Sequence, residues 1–318
     1  MADAVPQTHT YKTMSGCDTR LDVYSGPQVA SPAPCVVWIH GGNLTGGSRR
    51  GVHPMVLGLG YTVVAIDYRL APESKLPEII ADVSDALAWV RDKGPALYDI
   101  DCERLGVIGH SAGGYLALMS GTFPTPPRAL VTFYGYGDIA GDWATTPGAR
   151  SSDIPAMSGS EAEEARRRPP VSDISERTYD IRPFDRYCVE NGHWPYAITG
   201  RHPRAEPGFF STYCPIQNIT SAYPPTMLLH GDCDDGVPLE QSAMMAEELA
   251  RNGVPAELVT ITGGTHSFDR IGPPAQARHA YERVSAFLDE HLGRAGGRRC
   301  GGDRRGVRET VGLDQSRL

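Results

Sequence analysis

The sequence predicts an α/β fold: a doubly wound, mostly parallel sheet with helices on both faces and an aromatic-rich cap insert. Three observations lead there. Short continuous apolar runs of strand length recur along the chain, as expected for strands covered on both faces. Amphipathic helical patterns alternate with them. Glycine-rich turns fall at the C-terminal ends of the apolar runs, on the rim where open α/β sheets place their ligand sites.

Taken in order, residues 1–18 carry little apolar periodicity and are expected to be a loose lead-in. Arg20 to Tyr24 alternates as an edge strand would. Segment 1–31 is therefore set apart as lead-in and edge strand. Cys35 to Ile39 is a buried strand that ends in His40-Gly41-Gly42-Asn43. Tyr61 to Ile66 is a second one, followed by Asp67-Tyr68-Arg69-Leu70-Ala71-Pro72-Glu73. Residues 76–93 form a helix: Ile79, Ile80, Val83, Ala86, Leu87 and Val90 share one face, and Pro77 and Gly94 mark its ends. Leu105, Val107 and Ile108 then lead into Gly109-His110-Ser111-Ala112-Gly113, and an apolar helix follows. Arg128 to Phe133 is the next strand.

From 136 to 222 this alternation breaks. One short helix, Glu161 to Arg168, is expected there, its acids leading and its arginines trailing as the helix dipole favours. The rest is irregular but rich in Trp, Tyr and Phe, which a disordered linker would lack. It is expected to fold as a cap over the C-terminal edge of the sheet. The α/β pattern resumes with strands at Thr226 to Leu229 and Glu257 to Ile261, and helices at Pro238 to Asn252 and Pro274 to Leu292. The core is thus 32–135 plus 223–292. Residues 293–318, with seven arginines against three acids, read as a disordered tail.

Composition excludes several function classes. The net charge of −8 and a pI near 5.7 leave no basic field for nucleic acid. No apolar run is long enough to span a membrane. The first residues lack the basic and apolar regions of a secretory signal, so a cytoplasmic location is expected. Seven cysteines without a C-x-x-C pair fit free thiols in a reducing compartment, with a Cys188–Cys214 bridge left open. Oligomeric state stays open too, a homodimer included.

The chemistry centres on Ser111. A strand, a sharp turn and a helix around G-x-S-x-G form a nucleophile elbow, which lifts the hydroxyl to a helix N-terminus. A serine hydroxyl needs a neutral imidazole to take its proton, and that imidazole needs a carboxylate to fix its tautomer. His266, in a glycine-flanked loop after a strand, is the candidate base. Asp234, in the loop after Thr226 to Leu229, is the favoured acid, with Asp235 as alternative; Asp232 is expected to shape the turn. His230 and His40 are expected to bond nearby backbone. The backbone N–H groups of Gly41, Gly42 and Ala112 are candidate oxyanion donors. The acids of the 232–235 loop offer too few converging oxygens for a hard cation, so neither metal nor cofactor is expected.

His40-Gly41-Gly42, Asp67 to Glu73, Gly109 to Gly114, His230-Gly231-Asp232-x-Asp234-x-x-Val237-Pro238 and Gly264-x-His266-x-Phe268 together resemble the α/β-hydrolase serine esterases. The nearest branch is the hormone-sensitive-lipase-like and carboxylesterase one. The resemblance spans about residues 32–292. It implies Ser111, Asp234 and His266 as a triad, Gly41, Gly42 and Ala112 as oxyanion hole, and a small-molecule ester as partner. Two positions depart from the family pattern: Asn43 stands where a glycine or an aromatic is common, and His110 where Asp is common. Asn43, His110, Tyr134, Trp143, Trp194 and Phe209 are the candidate pocket residues. The expected activity is hydrolysis of small to medium, partly apolar esters through an acyl-enzyme. Amide hydrolysis on the same triad, as in a peptidase or arylformamidase, is the alternative, with Glu190 and Glu206 as candidate amine clamps. A non-catalytic binder ranks behind both.

Overall fold

The structure is a computed structural model and describes residues 5–25, 31–148 and 154–293. Its centre is an eight-stranded sheet in the order β1-β2-β4-β3-β5-β6-β7-β8. The strands are β1 (Gln7–Met14), β2 (Cys17–Tyr24), β3 (Ala33–Ile39), β4 (Thr62–Ile66), β5 (Ile100–His110), β6 (Ala129–Phe133), β7 (Thr226–Gly231) and β8 (Ala256–Ile261). β2 runs antiparallel to both β1 and β4; all the other pairings are parallel. The helices are α1 (Pro54–Leu57), α2 (Leu76–Tyr98), α3 (Ala112–Ser120), α4 (Asp142–Thr145), α5 (Gly159–Ala165), α6 (Arg182–Glu190), α7 (Trp194–Thr199), α8 (Pro207–Thr212), α9 (Glu240–Arg251), α10 (Phe268–Ile271) and α11 (Pro274–Leu292). Among them none is long and apolar enough to cross a membrane.

Strand alternation sorts the core into two layers. In β3, Cys35, Val37 and Ile39 face a cluster that includes Val83, Leu87 and Leu116, on the side of α2 and α3. Val36 and Trp38 point the other way, to Ile108, Val131, Val284 and Leu288, beneath α11. Strands β3, β4 and β6 are buried at every position because both faces are covered, and all but Thr62 and Thr132 among them are apolar.

Four sequence expectations change. The lead-in holds a strand, β1, so β2 is interior rather than an edge. β1 was hidden because it lies at the rim of the sheet and is mostly polar and exposed. Pairing through the Ser15-Gly16 turn holds it, both turn residues having positive φ as a tight hairpin requires. Helix α2 does not stop at Gly94. That glycine is there for close approach, since a Cβ would lie 3.0 Å from Ile100 Cδ1, and the helix ends at Asp99 in a left-handed conformation. The helix predicted over Glu161 to Arg168 is α5, which ends at Ala165 and is capped by Ser158 with Glu161. The insert is not otherwise irregular: α4 and α6–α8 build much of it. At four to nine residues each they are too short to show a clear apolar period, and α6, α7 and α8 carry proline at their first or second position. Cys188 and Cys214 are buried free thiols and form no bridge. The 293–318 tail lies, from 294 onward, outside the described residues.

Buried charges tie the loops at the sheet's C-terminal rim. Arg49 is 7 % exposed. Its guanidinium pairs with Asp22 at 2.9 Å and with Asp67, and Asp173 lies 3.8 Å away. Its backbone N–H also donates to Asp67. Arg177 brings the insert down onto the core by pairing with the buried side chain of Glu73 and donating to the Ala71 carbonyl.

Removing one partner from a buried ion cluster leaves uncompensated charge. Arg49→Ala should strand the carboxylates of Asp22 and Asp67, while Asp173 keeps its pair with Arg50, and cost about 3–5 kcal/mol. Urea unfolding of the two proteins measures it, and a loss below about 1 kcal/mol would contradict the cluster's role.

Candidate active site

Ser111 sits between β5 and α3 with φ 55° and ψ −117°, a strained conformation for a residue with a side chain. Crowding explains the glycines around it. A Cβ on Gly109 would lie 1.9 Å from the Gly113 carbonyl oxygen, and one on Gly113 would lie 2.2 Å from the Ile39 oxygen. The Ser111 N–H donates to the Phe133 carbonyl, which ties the turn to β6.

The loops after β7 and β8 cross in backbone contact. A Cβ on Gly231 would lie 2.0 Å from the Gly264 oxygen. Asp232 shapes this crossing by accepting the Gly263 N–H at 2.6 Å. Asp234 has a fully buried side chain. Its Oδ1 accepts the N–H groups of Gly236 and Val237, both at 2.8 Å. His266 Nδ1 lies 3.0 and 2.9 Å from its two oxygens, and His230 Nε2 lies 3.3 Å from Oδ2. Burial pushes the Asp234 carboxyl up, but the bonds from His230 and His266 outweigh it and hold the group below the usual carboxylate range. Asp235 is exposed on the cavity rim, apart from the imidazole's bonds.

A carboxylate only accepts, so His266 Nδ1 must carry the proton and Nε2 the lone pair. That Nε2 lies 3.1 Å from Ser111 Oγ. The structure thus brings Ser111, His266 and Asp234 into one hydrogen-bonded line. His230 is engaged elsewhere as well, with Nε2 at 2.9 Å from the Val237 carbonyl and Nδ1 at 2.7 Å from Ser242 Oγ. His40 stacks on Tyr68 and bonds the Gly41 carbonyl through Nδ1.

Gly41 lies directly against the nucleophile: a Cβ there would be 2.7 Å from the His110 oxygen and 3.2 Å from Ser111 Cβ. Gly42 has φ +109° and lines the same cavity. Ala112 is the first residue of α3, where backbone N–H groups lack helical acceptors and the dipole favours an anion.

The cavity in front of Ser111 and His266 measures about 730 Å³. Asn43, Trp143 and Trp194 line it. Both indole N–H groups are already used, by the Asp138 and Asn43 carbonyls, which leaves carbon faces for a substrate. The Asn43 amide donates to Asp185, so it too is turned toward the insert. The other three candidates sit differently. Phe209 is not in the lining; it packs on Tyr213, with the Arg201 guanidinium over its ring. His110 and Tyr134 line the wall but are only 2 % and 1 % exposed; His110 Nε2 and the Tyr134 hydroxyl face Asp269, and His110 Nδ1 faces Trp38. Lining residues that sequence reasoning missed include Tyr136 and, on and just before α6, Ile181, Asp185 and Val189. Their spacing of four places the last three on one helical face, and that was the signal available. Among the described residues no group of three or more His, Cys, Asp or Glu could hold a metal ion.

With this geometry in place, comparison with known proteins adds the following. A model described as BD-FAE matches residues 21–129, and one described as the prolyl oligopeptidase family matches 190–295. The chain is 28 % identical over 344 residues to the non-reducing polyketide synthase ausA of Emericella nidulans, matching 90 % of this chain and 14 % of that one. It therefore spans about a seventh of such synthases. It is also 28 % identical to esterase LipC of Mycobacterium tuberculosis, covering 90 % of this chain and 66 % of LipC. Among solved structures it is similar to Thermogutta terrifontis esterase 2 phosphorylated by paraoxon, with a TM-score of 0.65 at 21 % identity, over 92 % of this chain and 96 % of that one. An alpha/beta hydrolase superfamily protein from Enterococcus faecalis gives a TM-score of 0.67 at 23 % identity, over 90 % and 99 %.

Burial makes the histidines beside the site sensitive to acid. Desolvation lowers His40 from 6.5 to about 4. Between those values the unfolded chain holds the extra proton, so stability falls as pH drops through that window and is fully present above it. The loss from His40 alone is on the order of 3 kcal/mol. Urea unfolding from pH 7 to 4 should show this slope, and His40→Gln should flatten it; equal slopes in both proteins would contradict it.

Proposed function

We propose that this chain, which has the α/β-hydrolase fold, is a serine hydrolase that cleaves carboxylic esters through an acyl-enzyme, with Ser111, His266 and Asp234 as its catalytic residues. The observation that carries this is the single line from Asp234 through the His266 ring to Ser111 Oγ. Nε2 takes the hydroxyl proton as Oγ attacks the acyl carbon. Asp234, held as an anion, stabilises the imidazolium that forms. The N–H groups of Gly41, Gly42 and Ala112 receive the oxyanion. His266 then gives its proton to the leaving alcohol, and a water activated by the same ring releases the acid.

The indole faces of Trp143 and Trp194 and the side chains of Ile181 and Val189 favour a small to medium, partly apolar ester. The esterase relatives support the ester bond. The similarity to polyketide synthases over 90 % of this chain favours a second substrate class, the acyl thioester, which the same attack would open. The match to the prolyl oligopeptidase model favours an amide, but the candidate amine clamps are occupied: Glu190 pairs with Arg186, and Glu206 with Arg201.

A fluorophosphonate probe should label the wild-type protein at Ser111, and Ser111→Ala should abolish both labelling and hydrolysis of p-nitrophenyl butyrate. Labelling that survives the substitution would overturn the assignment. Across p-nitrophenyl esters, kcat/KM should peak at short acyl chains; a steady rise to palmitate would contradict the substrate class. Faster turnover of a matched thioester would favour the second class.

A further inference from the structure

Behind the nucleophile lies a second histidine–aspartate pair. His110 precedes Ser111, and its ring is stacked on Phe133 at 4.4 Å. The Trp38 Nε1–H donates to His110 Nδ1 at 3.1 Å, so that nitrogen bears the lone pair and Nε2 the proton. Nε2 faces Asp269 Oδ2 and the Tyr281 hydroxyl, each at 3.2 Å. The other Asp269 oxygen accepts the Tyr134 hydroxyl at 2.6 Å, and the Tyr281 hydroxyl lies 3.4 Å from Oδ2. The Asp269 side chain is fully buried. Burial pushes its carboxyl up, but the bonds from His110 and Tyr134 hold it below the usual range, so it is an anion.

The connections matter more than the pair itself. Asp269 sits in the first turn of α10, three residues after His266. Tyr134 has φ 42°, and its ring centroid lies 4.7 Å from that of His266. Its N–H is held by the Leu229 carbonyl on β7. One buried carboxylate therefore joins the strand that carries the nucleophile, the tyrosine that packs on the base, and the loop that carries the base. A free backbone loop would let the Ser111–His266 distance drift, and a misplacement of about 1 Å can cost about 100-fold in rate.

We propose that Asp269, through Tyr134 and His110, is a positioning residue that keeps the His266 imidazole in register with the Ser111 hydroxyl. This rests on the serine-hydrolase assignment and adds a residue that touches neither substrate nor reacting atoms.

Tyr134→Phe removes one oxygen and leaves the ring against His266; it should lower kcat about 10-fold, with KM within about 2-fold. Asp269→Asn should lower kcat about 10- to 100-fold with KM again held. The double variant should be no slower than Asp269→Asn, because both changes break one link. Rates are taken per folded molecule, from circular dichroism and Tm. The fluorophosphonate labelling rate of Ser111 is measured alongside and should fall in the same order. Unchanged rates in Tyr134→Phe overturn the proposal. So do effects that multiply in the double variant, or an Asp269→Asn that lowers Tm while its rate per folded molecule stays. If the wild type is labelled but hydrolyses no ester, the ester assignment fails and the labelling ratios alone decide on Asp269. If it is neither labelled nor active, both fall.

Discussion

A carboxylate buried from water must find donors, and the Asp234 carboxylate constrains most of what surrounds it. Its oxygens take two backbone N–H groups from their own loop and face the rings of His230 and His266. Those bonds fix the loop after β7, the tautomer of His266 and the direction of its free lone pair. The lone pair faces the hydroxyl of Ser111, 3.1 Å away. In a low-dielectric site this arrangement needs no reorganisation when charge develops, and that is where electrostatic catalysis gains most.

The sheet makes the arrangement affordable. Parallel strands β5, β7 and β8 end on one rim, so three segments far apart in sequence emerge side by side. Glycine is needed where their backbones touch, at Gly231 over Gly264 and at Gly113 over Ile39. The insert is fastened to the same rim by the Trp194–Asn43 bond and the Arg177–Glu73 pair, so the aromatic wall and the glycine loop before Asn43 are parts of one packed unit.

How legible this was in the sequence depended on the length and burial of each element. The strands buried on both faces announced themselves as apolar runs, and the mostly parallel sheet followed from their alternation with helices. The residues that meet at the site lie next to glycines whose spacing is dictated by backbone crowding, which is why Ser111 and His266 could be singled out from residues alone. Choosing Asp234 over Asp235 came from position in the loop; in the structure one side chain is buried beside the imidazole and the other is exposed. Polar β1 and the short helices of the insert left no clear period to find. His110 stands out in the sequence as the neighbour of Ser111, and Tyr134 and Phe209 as aromatics at the sheet's edge and in the insert. The directions their side chains take depend on contacts with Asp269, Tyr281 and Tyr213, which no local pattern encodes.

The most direct test of the account is the turnover of Asp234→Asn. The substitution keeps the shape of the side chain but lets His266 adopt the wrong tautomer and leaves its charged form unsupported. The account predicts a fall in kcat of about 1,000- to 10,000-fold toward p-nitrophenyl butyrate, with the fold intact by circular dichroism. A folded variant that keeps its rate within about 3-fold would contradict the central claim.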